Sequence, residues 1–166
     1  IVIAFIRLFV WLTTWYLVVL SLIPLWAGFC IAVVSSSFAY LPSHAGQHGH
    51  LSGKYKNLDW LNSFVGQLSL IPLARSHEIL KVLHMKHHAH TNNPDKDPDY
   101  FHTHVDSWIE AAFRIHNQSS DERVEKMVED YSNEDPEFKL SLERGSKVQF
   151  SINLAQMFTA FFFPLE

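Results

Sequence analysis

The chain has 166 residues and a formal net charge of -4, which is length enough for one domain and offers no basic surface to attract nucleic acid. One cysteine, Cys30, excludes an intrachain disulfide and any cysteine-built zinc or iron–sulfur site, so metal chemistry here rests on nitrogen and oxygen. Polarity is segregated: residues 1–53 hold one charged side chain, Arg7, and all 11 histidines lie between His44 and His116.

Residues 1–41 are apolar apart from Arg7, two threonines and a few serines. About 20 helical residues cross the hydrocarbon core, so this length suits two spans. Pro24, in Ser21-Leu22-Ile23-Pro24-Leu25-Trp26, marks the turn of a transmembrane hairpin. A cleaved signal peptide has a much shorter apolar run. Arg7 must snorkel to the interface, or else one kinked span covers residues 8–34. Lys54, Lys56, Arg75, Lys81 and Lys86 follow, and this excess of cations puts the histidine-bearing region on the cytoplasmic side.

Within residues 58–73, Leu61, Phe64, Val65 and Leu68 recur at helical spacing, as in a helix lying on the bilayer surface. A second helix is expected over 76–90, with Ser76 as N-cap, Ile79, Leu80 and Leu83 as its apolar stripe, and Asn92-Asn93-Pro94 as its stop. A third runs from His102 to His116 with Val105, Trp108, Ile109, Ala112 and Phe113 on one face, which assigns His102, His104 and His116 to surface or packing. Residues 117–147 carry nine acids against five bases and read as a solvated helical loop. The sequon Asn117-Gln118-Ser119 would be used only if this region were extracellular. From 148 to 166 the chain turns apolar again, as the start of a further span. The fold class is therefore an all-α integral membrane protein. Opening on Ile1 and closing inside the run Phe161–Leu165, the chain reads as one truncated domain: hairpin 1–41, histidine region 42–116, charged loop 117–147 and a new span from 148.

Two histidine clusters carry the chemistry. In His44-Ala45-Gly46-Gln47-His48, the two imidazoles are four residues apart and share one face of a helix. In His84-Met85-Lys86-His87-His88, the i, i+3 and i+4 positions add adjacent histidines about 100 degrees apart around the helix. At this histidine density one or two H-x-x-x-H pairs arise by chance, and the H-x-x-H-H triplet roughly 0.2 times. Imidazole suits iron, zinc, copper and nickel alike. A zinc-protease H-E-x-x-H fails at His77-Glu78-Ile79-Leu80-Lys81, where Lys81 stands in place of the second histidine. His50, His77 and His90 are single matches and are left outside the candidate site. Asp95, Asp97 and Asp99 beside two prolines terminate the helix or hydrogen-bond a ligand histidine.

The order H-x-x-x-H at His44 to His48, then H-x-x-H-H at His84 to His88, resembles the first two histidine boxes of the membrane fatty acid desaturase and hydroxylase superfamily. The run His84 to Asp99 is also similar to the second box of carotene hydroxylases and ketolases in that superfamily. The resemblance covers residues 1–105. It implies His44, His48, His84, His87 and His88 as ligands to two iron ions, dioxygen as oxidant, a ferredoxin or small haem protein as electron donor, and a lipid or acyl substrate held in the membrane. Ala45 stands where the family often has an aspartate, and no third H-x-x-H-H box occurs in residues 117–166, so this stretch alone is expected to be inactive. The favoured reading is a fatty acyl desaturase, the alternative a carotenoid hydroxylase or ketolase. A histidine-rich metal transporter would need polar ligands inside its spans, and the apolar runs hold no histidine or acid.

Overall fold

The computed structural model describes residues 1–117 and 122–162. The glycosylation sequon and the final apolar residues fall largely or wholly outside them. Among the described residues the regular structure is entirely helical. Nine α-helices follow in order: α1 (Val2–Val19), α2 (Leu25–Ser37), α3 (Tyr40–Gln47), α4 (Trp60–Leu70), α5 (His77–His90), α6 (Tyr100–Thr103), α7 (Trp108–Asn117), α8 (Glu122–Glu134) and α9 (Pro136–Phe162). The chain forms two compact units, Ile1–Glu78 with Gly145–Glu166, and Ile79–Arg144. α5 and α9 each carry the chain from one unit into the other.

In the first unit α1 and α2 form the expected hairpin. The backbone leaves α1 through a left-handed Ser21 (φ 55), with the Leu22 amide returning to the Leu17 carbonyl. Pro24 then precedes α2 with extended geometry. α1 is 18 residues long, about 27 Å at 1.5 Å per residue, close to the hydrocarbon thickness. Its apolar side chains face outward, with Phe9 71% exposed, and Trp26 of α2 is 72% exposed, as lipid-facing residues are. Two hydroxyls inside the hairpin are satisfied locally: Thr14 donates to the Val10 carbonyl and Ser35 to that of Ala32.

The second apolar stretch extends through α3, so that Leu25–Gln47 is long and apolar enough to cross a membrane. Pro42 interrupts it. Lacking an N–H, it cannot bond back to the Phe38 carbonyl, and the helix breaks at Phe38–Ala39 before resuming as α3. α3 packs on α4, and α1 packs on both α2 and α4.

Periodicity places Leu61, Phe64, Val65 and Leu68 on one α4 stripe expected to lie on the bilayer, and the face packed inside the protein shares only Val65 with it. Asn62, Val65, Gly66, Ser69 and Leu70 are buried, while Phe64 stays exposed beside Trp60. Gly66 stays small on this face because a side-chain carbon there would meet the His77 ring. Asn62 ties the intervening turn down, accepting the Leu51 and Ser52 amides at 3.0 and 3.3 Å and donating to Ser52 Oγ at 2.9 Å.

In the second unit the expected single helix over 102–116 is two. α6 ends at Thr103, and α7 restarts after Ser107, whose hydroxyl accepts the Glu110 amide as an N-cap. The charged stretch after 121 is not merely solvated: Val124, Met127 and Tyr131 form a buried stripe on α8. Met127, Tyr131 and Phe138 make a core, joined by Val82 and Leu83 of α5 and Val128 and Leu142. α9 then continues through residue 147 without a break.

Asp135 caps α9, accepting the amides of Glu137 and Phe138, both at 3.1 Å, and pairing with Lys86 Nζ at 3.2 Å. The Phe138 amide first, then Lys86, hold its carboxyl below the ordinary carboxylate value. A folded pKa that is depressed gives stability that is full above the unfolded value of about 3.9 and lost as pH falls through the folded value. Acid unfolding followed by circular dichroism should therefore show a lower thermal midpoint below about pH 4. Asp135→Ala should lower the midpoint at neutral pH and flatten that acid dependence. A parallel curve would remove Asp135 from the account.

Candidate metal centre

The five histidines singled out by spacing lie on two helices or at their ends. His44 belongs to α3 and His48 is its C-cap, both in the first unit, and His84, His87 and His88 belong to α5 in the second. At the end of α3 the His44 and His48 rings meet edge to face with centroids 4.7 Å apart. His50, just past the helix, stacks on His48 at 5.5 Å.

Within α5 the His84 and His88 rings are 4.5 Å apart, and their Nε2 atoms are separated by 3.0 Å. Two imidazole nitrogens at that distance share a proton or chelate one cation. With metal–nitrogen bonds of about 2.1 Å, two ligands at a right angle on one ion lie about 3 Å apart. The donor set, neutral imidazole, is one that iron accepts.

His87 points to a different partner. Its Nδ1 lies 2.7 Å from Asp97 Oδ1, which fixes the ring and leaves the Nε2 lone pair for a metal. Asp97 is 1% exposed and also accepts the amides of Asn92 at 2.9 Å and Asp99 at 2.8 Å. Burial by itself would raise the Asp97 carboxyl. The bond from His87 and the two amides outweigh it and hold the group below the usual carboxylate range. The left-handed Asn92 (φ 64) ends α5 and turns the chain back so that Asp97 can reach the ring. Of the two roles the sequence left open for this aspartate, the hydrogen bond to His87 is present. Asp97→Asn keeps the shape and removes the charge. Iron affinity, read by chelator competition, should fall about 10–100-fold while helicity is kept. Unchanged affinity would show that the bond does not tune the ligand.

Two histidines set aside from sequence are built into the fold. His90 stacks on Tyr131 at 6.0 Å and so belongs to the packing of the second unit. His77 is 2% exposed, with Nδ1 2.9 Å from the Ser43 hydroxyl and its own amide donating to Gln67 Oε1 at 2.9 Å. It therefore braces α3 one residue before His44. The only sequence signal for this would have been the glycines, Gly46 and Gly66, whose missing side chains make room for the ring.

Beside the hairpin, an apolar cavity of about 620 Å³ is lined by Trp11, Trp15, Ile71, Val148 and Ile152. A second, of about 460 Å³, lies between α1 and α2 around Val18 and Phe29.

A family model described as fatty acid desaturase matches residues 13–121, a stretch holding both histidine clusters and Asp97. The chain belongs to the fatty acid desaturase family. Family membership implies an oxidoreductase, and with the two apolar helices it supports membrane association. The chain is 35% identical over 83 residues to an sn-1 oleoyl-lipid 12-desaturase of Picosynechococcus, a match covering 50% of this chain and 21% of that protein. The aligned segment is thus about a fifth of the desaturase's length. No solved structure matches the chain.

Proposed function

We propose that this desaturase-family chain is part of a membrane di-iron enzyme that introduces double bonds into lipid acyl chains. The observation that supports this reading best is the α5 triplet: His84 and His88 aim nitrogens 3.0 Å apart, and buried Asp97 orients His87 between them in sequence. His44 on α3 and His48 at its C-cap supply the remaining nitrogens that this chain contributes. When bound, the iron ions supply dioxygen activation and the oxidising power to remove hydrogen from an unactivated methylene.

The rest falls to the protein. Asp97 keeps the Nδ1 proton on His87, so the ring presents its Nε2 lone pair. α3 continues directly from the hairpin after its Pro42 break, which keeps the first histidine pair close to the end of a span. The apolar walls against α1 have the chemistry that an acyl chain covers, and they exclude water from it. Cations following the hairpin support a cytoplasmic side for the histidines, where a ferredoxin or small haem protein would deliver electrons.

The test is expression of the complete gene in a host lacking the activity, with double bonds in its lipids analysed by mass spectrometry. New unsaturation is expected. An unchanged profile from iron-loaded protein would overturn the reading. Oxygenated pigment in a carotene-producing host would instead assign the carotenoid chemistry to which the Asn93–Asp99 run is similar.

A further inference from the structure

The hairpin carries one cation that the metal centre does not use. Arg7 is the single charged side chain in the first 53 residues, and it sits on α1 five residues after the helix begins. It borders a groove of about 500 Å³ against α2, lined by Val10, Ile31, Val34 and Phe38. The guanidinium is half-buried. Its Nε is shielded from solvent, and no described residue accepts a hydrogen bond from it. Ser35, in the groove wall, donates its hydroxyl to the Ala32 carbonyl.

α1 and α2 are antiparallel, so this end of the hairpin is also the end from which α3 and the first histidine pair emerge. Five residues of helix span about 7.5 Å, within reach of the headgroup level for a long cationic side chain. The site therefore combines a fork of donors at the level of lipid phosphates with an apolar trough leading inward. Guanidinium recognises phosphate through paired N–H bonds, which an ammonium cannot reproduce.

We infer that Arg7 and this groove bind one anionic glycerophospholipid, the phosphodiester on the guanidinium and an acyl chain along Ile31 and Val34. Charge complementarity selects the occupant: a neutral zwitterionic lipid brings its own cation to the same place, and a free phosphate leaves the trough uncovered. The site is independent of the iron chemistry, so it stands or falls apart from the proposed reaction.

The experiment is native mass spectrometry of the full-length protein in neutral detergent, titrated with phosphatidylglycerol, phosphatidylcholine or inorganic phosphate. The wild type should retain one phosphatidylglycerol about tenfold more tightly than phosphatidylcholine, the ratio a charge-assisted contact supplies. Arg7→Gln should bind the two lipids equally, and Arg7→Lys should recover only part of the preference. Ile31→Trp fills the trough and should weaken phosphatidylglycerol with Arg7 still in place. Equal retention of both lipids by the wild type, or undiminished preference in Arg7→Gln, would overturn the proposal. Phosphate binding that Ile31→Trp leaves untouched, with no lipid preference, would reduce the site to a bare anion contact and overturn it as well.

Discussion

Alanine at His84 or at His88 is expected to strip iron from the full-length enzyme and bring product formation to background. The two Nε2 atoms are 3.0 Å apart, so in the proposed centre each ring would supply half of a chelating pair and neither half would hold a cation alone. Losing one ligand should therefore cost more than losing the oriented partner of His87, where the metal is weakened but its nitrogens remain. Iron per chain, measured by elemental analysis, separates the cases: near zero for His84→Ala and His88→Ala, and reduced but present for Asp97→Asn. Helicity should be unchanged, because both rings lie on the side of α5 away from the Val82 and Leu83 packing. Full iron content in either alanine variant would sink the assignment of α5 as a ligand helix.

The second large effect is expected at Gly46. A side-chain carbon there would lie 2.5 Å from the Asn62 carbonyl oxygen and 3.2 Å from His77 Cε1. The oxygen is backbone and cannot rotate away, so α3 and α4 must separate. Overpacking of this kind costs about 1–3 kcal/mol and occasionally more. Gly46→Ala should accordingly loosen α3 and displace His44 and His48, seen as a lower thermal midpoint in detergent together with weaker iron binding. Gly66 offers an internal control. A carbon there would meet the His77 ring at 2.3 Å, and that ring can be removed. Gly66→Ala with His77→Ala should be less damaging than the sum of the single changes, a non-additivity that marks direct contact. Simple additivity would mean the ring is not what holds Gly66 small.

Local spacing was readable without coordinates. The hairpin follows from one long apolar run with Pro24 near its middle, and the histidine triplet follows from helical geometry alone. Even the Asp97 bond was within reach, since an aspartate ten residues past His87 beside two prolines can fold back onto a helix end. What escaped was tertiary. No periodicity shows that Gly46 and Gly66 face one another or that His77 lies between them, because that depends on which helices pack. The stripe of Val124, Met127 and Tyr131 was hidden by the charges around it, and only three apolar residues in two turns sufficed once Phe138 lay opposite. The split between α6 and α7 turned on one hydroxyl, Ser107, competing successfully with helix continuation.

Lys86 sits inside the second histidine cluster, between His84 and His87 in sequence. Its ammonium lies 4.5 Å from the centre of the Tyr131 ring and 5.4 Å from that of Phe138, and Asp135 pairs with it. A free lysine at this point could swing its charge toward the same nitrogens that, in the proposed centre, attract a dication. Clamped on two aromatic faces and a carboxylate, it is instead a fixed charge whose field at the ligands cannot wander. The core of the second unit thus serves as an electrostatic leash, and the residue most threatening to cation binding becomes one of the staples that keep the ligand helix in place.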